Sequence, residues 1–236
     1  MLRKTSLALL IAAAVTACAT SPTGRTQLML VSEQQAISAS RQAYVQEIDK
    51  YREQGKLVTD PRLLRRVEVI TERLVAQAVK MRPETAKWDW SVQVIDEPKA
   101  VNAWCMAGGR MAIYTGLIQK IDPTDDELAQ VMAHEIAHAL ANHTAERMSV
   151  AMASQAGVLA AGILSDQPGQ TMVLAATAAK LAVDLPNSRT AETEADRIGI
   201  ELAAKAGFDP RAAVTLWQKM GAVGGGKAPP AFLSTH

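Results

Sequence analysis

Cysteine is scarce in this chain: Cys18 and Cys105 are the only 2 in 236 residues. A disulfide framework is excluded, and so is a structural zinc site closed by cysteines. Aromatic residues make up 4% of the chain against 48% for hydrophobic residues as a whole. With Ala and Met plentiful, that balance favours helices over a β-sandwich. Neither sign of charge is in excess, since 25 Lys and Arg face 24 Asp and Glu, which argues against nucleic acid as a partner. No apolar run reaches the ~20 residues of a membrane-spanning helix. No internal repeat is visible, nor any linker long enough to split the chain before residue 221. The length suits one globular domain with a real core.

What is present begins with a leader. Met1-Leu2-Arg3-Lys4 is a positive start, and residues 6–17 form a short apolar run, so residues 1–17 read as a signal peptide. The run ends Val15-Thr16-Ala17-Cys18, which resembles a bacterial lipobox. Cys18 would then carry lipid and begin the mature chain; the alternative is an ordinary signal peptide cleaved nearby. Ala19 and Thr20, with no Asp after the cysteine, resemble outer-membrane lipoproteins facing the periplasm. Cys105 is left as a small buried residue.

Residues 18–31 read as a lipidated tether or extended lead-in. Ser32 with Gln35 makes a capping box that opens a helix to about Arg52, and Asp60-Pro61 starts another to about Lys80. Trp88 to Val94 alternates with period two, as a half-buried strand does, and Val101–Cys105 and Arg110–Tyr114 flank Gly108-Gly109 as a hairpin. Thr124 and Glu127 make a second capping box, opening a helix expected to run to about Arg147. From Ser149 to Ser165 there is no charge, and Thr171 to Val183 resumes the apolar run after Asp166-Gln167-Pro168-Gly169. These are two Ala/Gly-rich helices joined by a turn. They form either a hairpin packed on the body or a lid or membrane-contacting flap over the site. Further helices are expected over Thr190–Ala206 and from Asp209-Pro210 to about Met220, followed by a flexible tail, residues 221–236.

The second capped helix carries His134-Glu135-Ile136-Ala137-His138, an H-E-x-x-H motif. Histidines four residues apart share one helix face, where their ring nitrogens can meet one ion at about 2.0–2.1 Å, as tetrahedral Zn²⁺ requires. Glu135 lies about 100° round the helix, within reach of a metal-held water without being a ligand. A catalytic zinc needs a third protein ligand. A histidine ten residues after the first is absent, Thr144 standing there without a glycine at Ala141, so the metzincin pattern fails. On a continuous helix His143 would lie about 180° from His134 and reads as a second-shell or structural residue. No glutamate occurs between Glu146 and Glu192. Glu192 shares a face with Ala195, Asp196 and Gly199, a small-residue face able to pack on the motif helix. Glu194 sides with Arg197 and Glu201 and is expected in solvent. Glu192 is therefore the chosen ligand, with Asp196, one turn on, placed to hold a ligand histidine by its other ring N–H.

HEIAHALANH followed by SRTAETEADRIGIELAAKAGFDP, with WDWSVQVIDEPKAVNAWCMAGGRMAIYTGLI before them, resembles the HtpX-like and BepA/LoiP-like zinc metallopeptidases, relatives of CAAX prenyl protease 1. The likeness covers about residues 25–236. It implies a predominantly helical α+β gluzincin fold with a small sheet before the motif helix, and a metallopeptidase domain over residues 32–220. It also implies one Zn²⁺ per chain on His134, His138 and Glu192, with Glu135 as the catalytic base. Unfolded or misassembled envelope proteins are the implied substrates, adding to the sheet edge at Asn102, Ala103 and Trp104; the membrane is reached through the lipid. The family carries Ser-Thr-His-Pro near its C-terminus, whereas here the chain stops at Ser234-Thr235-His236. His236 is thus an inhibitory fourth ligand, a transition-state stabiliser or a frayed end. The competing function is a proteolytically latent, zinc-bearing chaperone or assembly factor.

Overall fold

The computed structural model describes residues 18–223. The leader read in residues 1–17 and the tail from residue 224, His236 included, lie outside them. Two compact units emerge. One joins Asn142–Ala191 with the segment up to Ala36; the other joins Ile37–Ala141 with the segment from Glu192 on.

In the first unit the expected tether is an antiparallel hairpin, β1 (Cys18–Thr20) and β2 (Thr26–Leu28), turned at Gly24 with φ +89°. Its hold within this unit is non-local. Arg25 pairs bidentately with Glu146 at 2.6 and 2.7 Å, and Gln27 Nε2 donates to the same carboxylate at 2.8 Å. Further on, Val31 N–H donates to Ser149 Oγ at 2.9 Å. Glu146 and Ser149 belong to α5 (His143–Ile163), which a short turn joins to α6 (Pro168–Ala179). The two helices approach closely at Gly162, where a Cβ would come within 2.6 Å of Met172. A π-helical turn, Lys180–Asp184, leads to α7 (Leu185–Lys205), which starts five residues before the expected Thr190.

The second unit holds the main core. Most of α1 (Glu33–Glu53) belongs to it, opened by the Ser32 capping box as read, which lies in the first unit's segment: Gln35 N–H donates to Ser32 Oγ at 3.2 Å and Ser32 N–H to Gln35 Oε1 at 2.9 Å. Asp60 caps α2 (Pro61–Met81) through Arg62 N–H. The next strand, β3 (Ser91–Ile95), starts three residues later than the alternation from Trp88 suggests. The reason is a single 3₁₀ turn, Pro83–Lys87: Trp88 N–H and Trp90 Nε1–H both donate to Thr85 O, tying the two indoles to that turn. β4 (Ala103–Met106) and β5 (Arg110–Tyr114) form the expected hairpin, with Gly108 and Gly109 at φ +89° and +85°. β3 pairs in parallel with β5, so the order is β3-β5-β4 and β4 is an outer strand. A short helix that periodicity does not announce, α3 (Thr115–Ile121), follows β5 directly and closes on Asp122 in the left-handed region.

The motif lies on α4 (Asp125–Leu140), opened by the Thr124–Glu127 capping box. From Glu127 to Leu140 every residue except His138 is buried, as a helix at the centre of a core must be. Leu128, Met132 and Ile136 pack with Leu74 of α2, Met111 of β5 and Leu202 of α7 in one apolar cluster. The helix does not continue to Arg147 as expected. Asn142 turns left-handed at φ 57°, and Arg82 Nη1 donates to the Leu140 carbonyl at 2.6 Å, satisfying an end the ladder leaves open. The last helix, α8 (Ala212–Val223), outruns the expected end at Met220, its final turn tolerating Gly221.

Candidate metal centre

Three devices, one local and two from distant residues, fix the helix that carries the histidines. Thr124 and Glu127 exchange hydrogen bonds at 3.2 and 2.8 Å across its N-terminus, and Lys219 of α8 pairs with Glu127 Oε2 at 2.7 Å. Burial alone would raise the Glu127 carboxyl, but the Lys219 ammonium and the Thr124 N–H outweigh it and hold it below the usual range. The loop after α7 is tied to the same helix. Asp209 N–H donates to Asp126 Oδ1 at 3.0 Å, and Gln130 Nε2 donates to Asp209 O at 3.1 Å. α7 therefore meets α4 in a defined register.

That register brings His134, His138 and Glu192 together, one ligand atom of each lying within 4.8 Å of the others. The two Nε2 atoms are 3.1 Å apart, His134 Nε2 is 3.4 Å from Glu192 Oε2, and His138 Nε2 is 3.5 Å from Glu192 Oε1. Ligands at the corners of a tetrahedron with arms of about 2.0–2.1 Å stand about 3.3 Å apart. The donor set thus has the size and chemistry a divalent cation requires. Glu192 Oε2 fits it too, being buried without a hydrogen bond.

Behind His134 stands Asp196, whose Oδ1 lies 2.9 Å from Nδ1. A ring that donates Nδ1–H there presents the Nε2 lone pair to the cluster. Burial would lower the His134 pKa, but the Asp196 and Glu192 carboxylates outweigh it and push it up to about 10. Burial would likewise raise Glu192, and the two imidazole rings hold its carboxyl far below the usual range. The carboxylates beside His134 thus favour positive charge where a cation would sit.

Glu135 is 1% exposed, one residue from the first histidine. It lies near β4: burial pushes the Cys105 thiol well up, and the Glu135 carboxylate adds to that. Cys105 is buried, as read. Ala103 and Trp104 lie in β4, and Asn102 directly precedes it. Asn102 O accepts from Tyr114 N–H at 3.1 Å, Ala103 is fully buried, and Trp104 Nε1 donates to the Tyr114 hydroxyl at 3.3 Å. His143, buried at 6%, opens α5 in the other compact unit and is not part of the three-residue cluster. Cys18 is exposed in β1.

Glu194 departs from expectation. It is 5% exposed, because the buried stripe of α7 runs Ala191, Ala195, Ile198 and Leu202, and Glu194 stands one turn before Ile198 on its border. Arg197 and Glu201 mark the solvated side of that border. Gly199 matters more than its place on a small-residue face suggests: a Cβ there would sit 3.0 Å from both Cα and N of His134. The available signal was a glycine inside a helix, which costs about 1 kcal/mol relative to Ala unless packing requires it.

Comparison with known proteins agrees with this arrangement. The model of peptidase family M48 matches residues 58–236. The mitochondrial metalloendopeptidase OMA1 of Arabidopsis thaliana is 40% identical over 149 residues, 62% of this chain and 29% of that protein. The OMA1 metalloendopeptidase of Bos taurus is 30% identical over 225 residues, 91% of this chain and 42% of its own length. The beta-barrel assembly-enhancing protease of Escherichia coli K12 is 28% identical over 201 residues, 82% of this chain and 39% of that protein. The chain thus spans less than half the length of these curated relatives. With the family match running through the motif helix, the outer strand and the helix that brings Glu192 to both histidines, the chain belongs to peptidase family M48.

Proposed function

We propose that this chain is a zinc-dependent endopeptidase of the bacterial envelope that cleaves unfolded or misassembled proteins. The observation that carries the reading is the meeting of three side chains, whose two Nε2 atoms stand 3.1 Å apart and 3.4 and 3.5 Å from one or the other Glu192 oxygen. His134, His138 and Glu192 would hold the ion. When bound, Zn²⁺ supplies Lewis acidity, bringing water towards a pKa of about 7 and polarising a carbonyl oxygen. Asp196 keeps the His134 ring in the ligating tautomer. Glu135 accepts the proton of the attacking water and returns it to the leaving amine.

An extended substrate would add to β4, the outer strand, by displacing what covers the buried Ala103 and Cys105. Because Asn102 O bonds to Tyr114 N–H, antiparallel alternation turns the backbone groups of Ala103 and Cys105 away from β5. The Ala103 N–H is held meanwhile by Asn102 Oδ1 at 3.0 Å, which a substrate carbonyl would replace. Main-chain pairing of that kind gives affinity with little sequence preference, as quality control demands. The name of the Escherichia coli relative supports a role linked to β-barrel assembly. The leader and the exposed Cys18 support a lipid anchor on the periplasmic side of the outer membrane. No described helix is long and apolar enough to cross a membrane.

The test is cleavage of an unfolded protein by wild type and by Glu135→Gln, both supplied with zinc. Wild type is expected to cleave, and the variant to lose about 10²–10⁴-fold in rate. Two inert proteins that each retain one zinc would overturn the reading and favour the latent assembly factor.

A further inference from the structure

The first compact unit carries an apolar surface that the metal centre does not use. No charged residue occurs between Ser149 and Ser165 on α5, nor anywhere in α6. α6 buries none of its residues. Ile163 and Leu164 at the end of α5 are 74% and 87% exposed, and Val173 and Leu174 on α6 are 68% and 65% exposed. We propose that the α5–α6 hairpin is a membrane-contacting element, lying in one leaflet of a lipid bilayer.

The pattern favours lipid over a protein partner. A helix that docks on another protein presents one apolar stripe and keeps a polar face for water. The only polar side chains of α6 are Gln170, Thr171 and Thr177, and the apolar residues from Met172 to Ala179 surround the axis. One flank of α6 packs on α5 at Gly162, and the flanks left over are apolar as well, so they suit lipid where water does not. The hydroxyls of Ser165, Thr171 and Thr177 are satisfied within the hairpin. Ser165 Oγ and Thr171 Oγ1 are 2.6 Å apart, Gln167 N–H donates to Ser165 Oγ at 3.0 Å, and Thr177 Oγ1 donates to Val173 O at 2.9 Å. That internal satisfaction is what a hydrocarbon environment demands.

Length sets the depth. The 12 residues of α6 rise about 18 Å, short of the ~30 Å hydrocarbon core. Asp166 stands exposed in the turn between the helices, so the hairpin rests along the interface with its flank in the acyl chains and its turn among the headgroups. Arg147, Lys180 and Arg189, all exposed, bracket the uncharged segments, where cations meet anionic headgroups. Cys18 lies in the same compact unit. An acyl chain there would hold this unit at the bilayer; that point alone rests on the lipid-anchor reading above.

The experiment uses residues 18–236 with Cys18→Ser, which cannot be acylated, and vesicles of phosphatidylethanolamine and phosphatidylglycerol. The parent is expected to sediment with the vesicles. Ile163→Glu/Leu164→Glu, at positions too exposed to affect folding, is expected to bind about tenfold or more weakly. In a second variant, Leu174→Cys on the exposed flank of α6 carries an environment-sensitive fluorophore, Cys105 being too buried to react. Its emission is expected to be quenched by lipids brominated on their acyl chains. A parent that ignores vesicles, a charged variant that binds equally, or a probe untouched by the brominated lipids would overturn the proposal. So would a parent dimer that the substitutions turn into a monomer without any vesicle binding. The mass of the native chain extracted from cells reports acylation of Cys18 separately, so either reading can fail alone.

Discussion

Gly199 lies against the backbone of His134, where any Cβ would come within 3.0 Å of both its Cα and its N. The contact sets how closely α7 can approach α4. Asp196 Oδ1 reaches His134 Nδ1 at 2.9 Å because the two backbones are that near. Small residues on one helix thus govern the geometry of ligands on two.

Gly199→Val is therefore expected to destabilise the fold by about 1–3 kcal/mol through overpacking. Its larger effect falls on the metal: the helices must part, and zinc affinity is expected to drop more than tenfold. Thermal unfolding of the metal-free protein and zinc titration read the two effects separately. Unchanged affinity would mean that the helix contact does not set the site.

Asp196→Ala is expected to weaken zinc binding about 10–100-fold without removing a ligand. The same substitution is expected to lower the pKa of His134, now pushed up to about 10 with the help of that carboxylate. NMR titration of the metal-free protein measures it, and an unmoved pKa would show that Asp196 does not act on the ring.

Much of this centre was legible because its determinants are local. The H-E-x-x-H spacing, the Thr124–Glu127 capping box and the choice of Glu192 rest on helix geometry within a few residues. What sequence periodicity could not supply depends on distant partners. The N-terminal hairpin reads as a tether because its hold is a carboxylate 121 residues away from Arg25. The end of α4 at Leu140 depends on Arg82, and Ala141-Asn142-His143 is locally compatible with continued helix. The parallel pairing of β3 with β5 is likewise invisible to alternation, which specifies a face and not a neighbour. Glu194 sits on the border of a buried stripe, where a rotation of a few tens of degrees exchanges core for solvent.

The clamp at the start of α4 should show itself in acid. The folded-state pKa of Glu127 is below its unfolded value, so its contribution is fully present above the unfolded pKa of about 4.3 and is lost as pH falls through the folded value. Glu127→Gln is expected to cost about 1–2 kcal/mol at neutral pH. In urea unfolding, the gap between the two proteins should close as pH is lowered through that range. A gap that stays constant would show that the charge on Glu127 contributes nothing.

The most direct measurement is the zinc content and ligand environment of wild type and Glu192→Ala. Wild type should hold one zinc coordinated by two imidazole nitrogens and a carboxylate oxygen at about 2.0–2.2 Å, read by X-ray absorption. Glu192→Ala should purify essentially without metal. Full zinc occupancy in that variant would contradict the assignment of Glu192 as the third ligand and, with it, the centre described here.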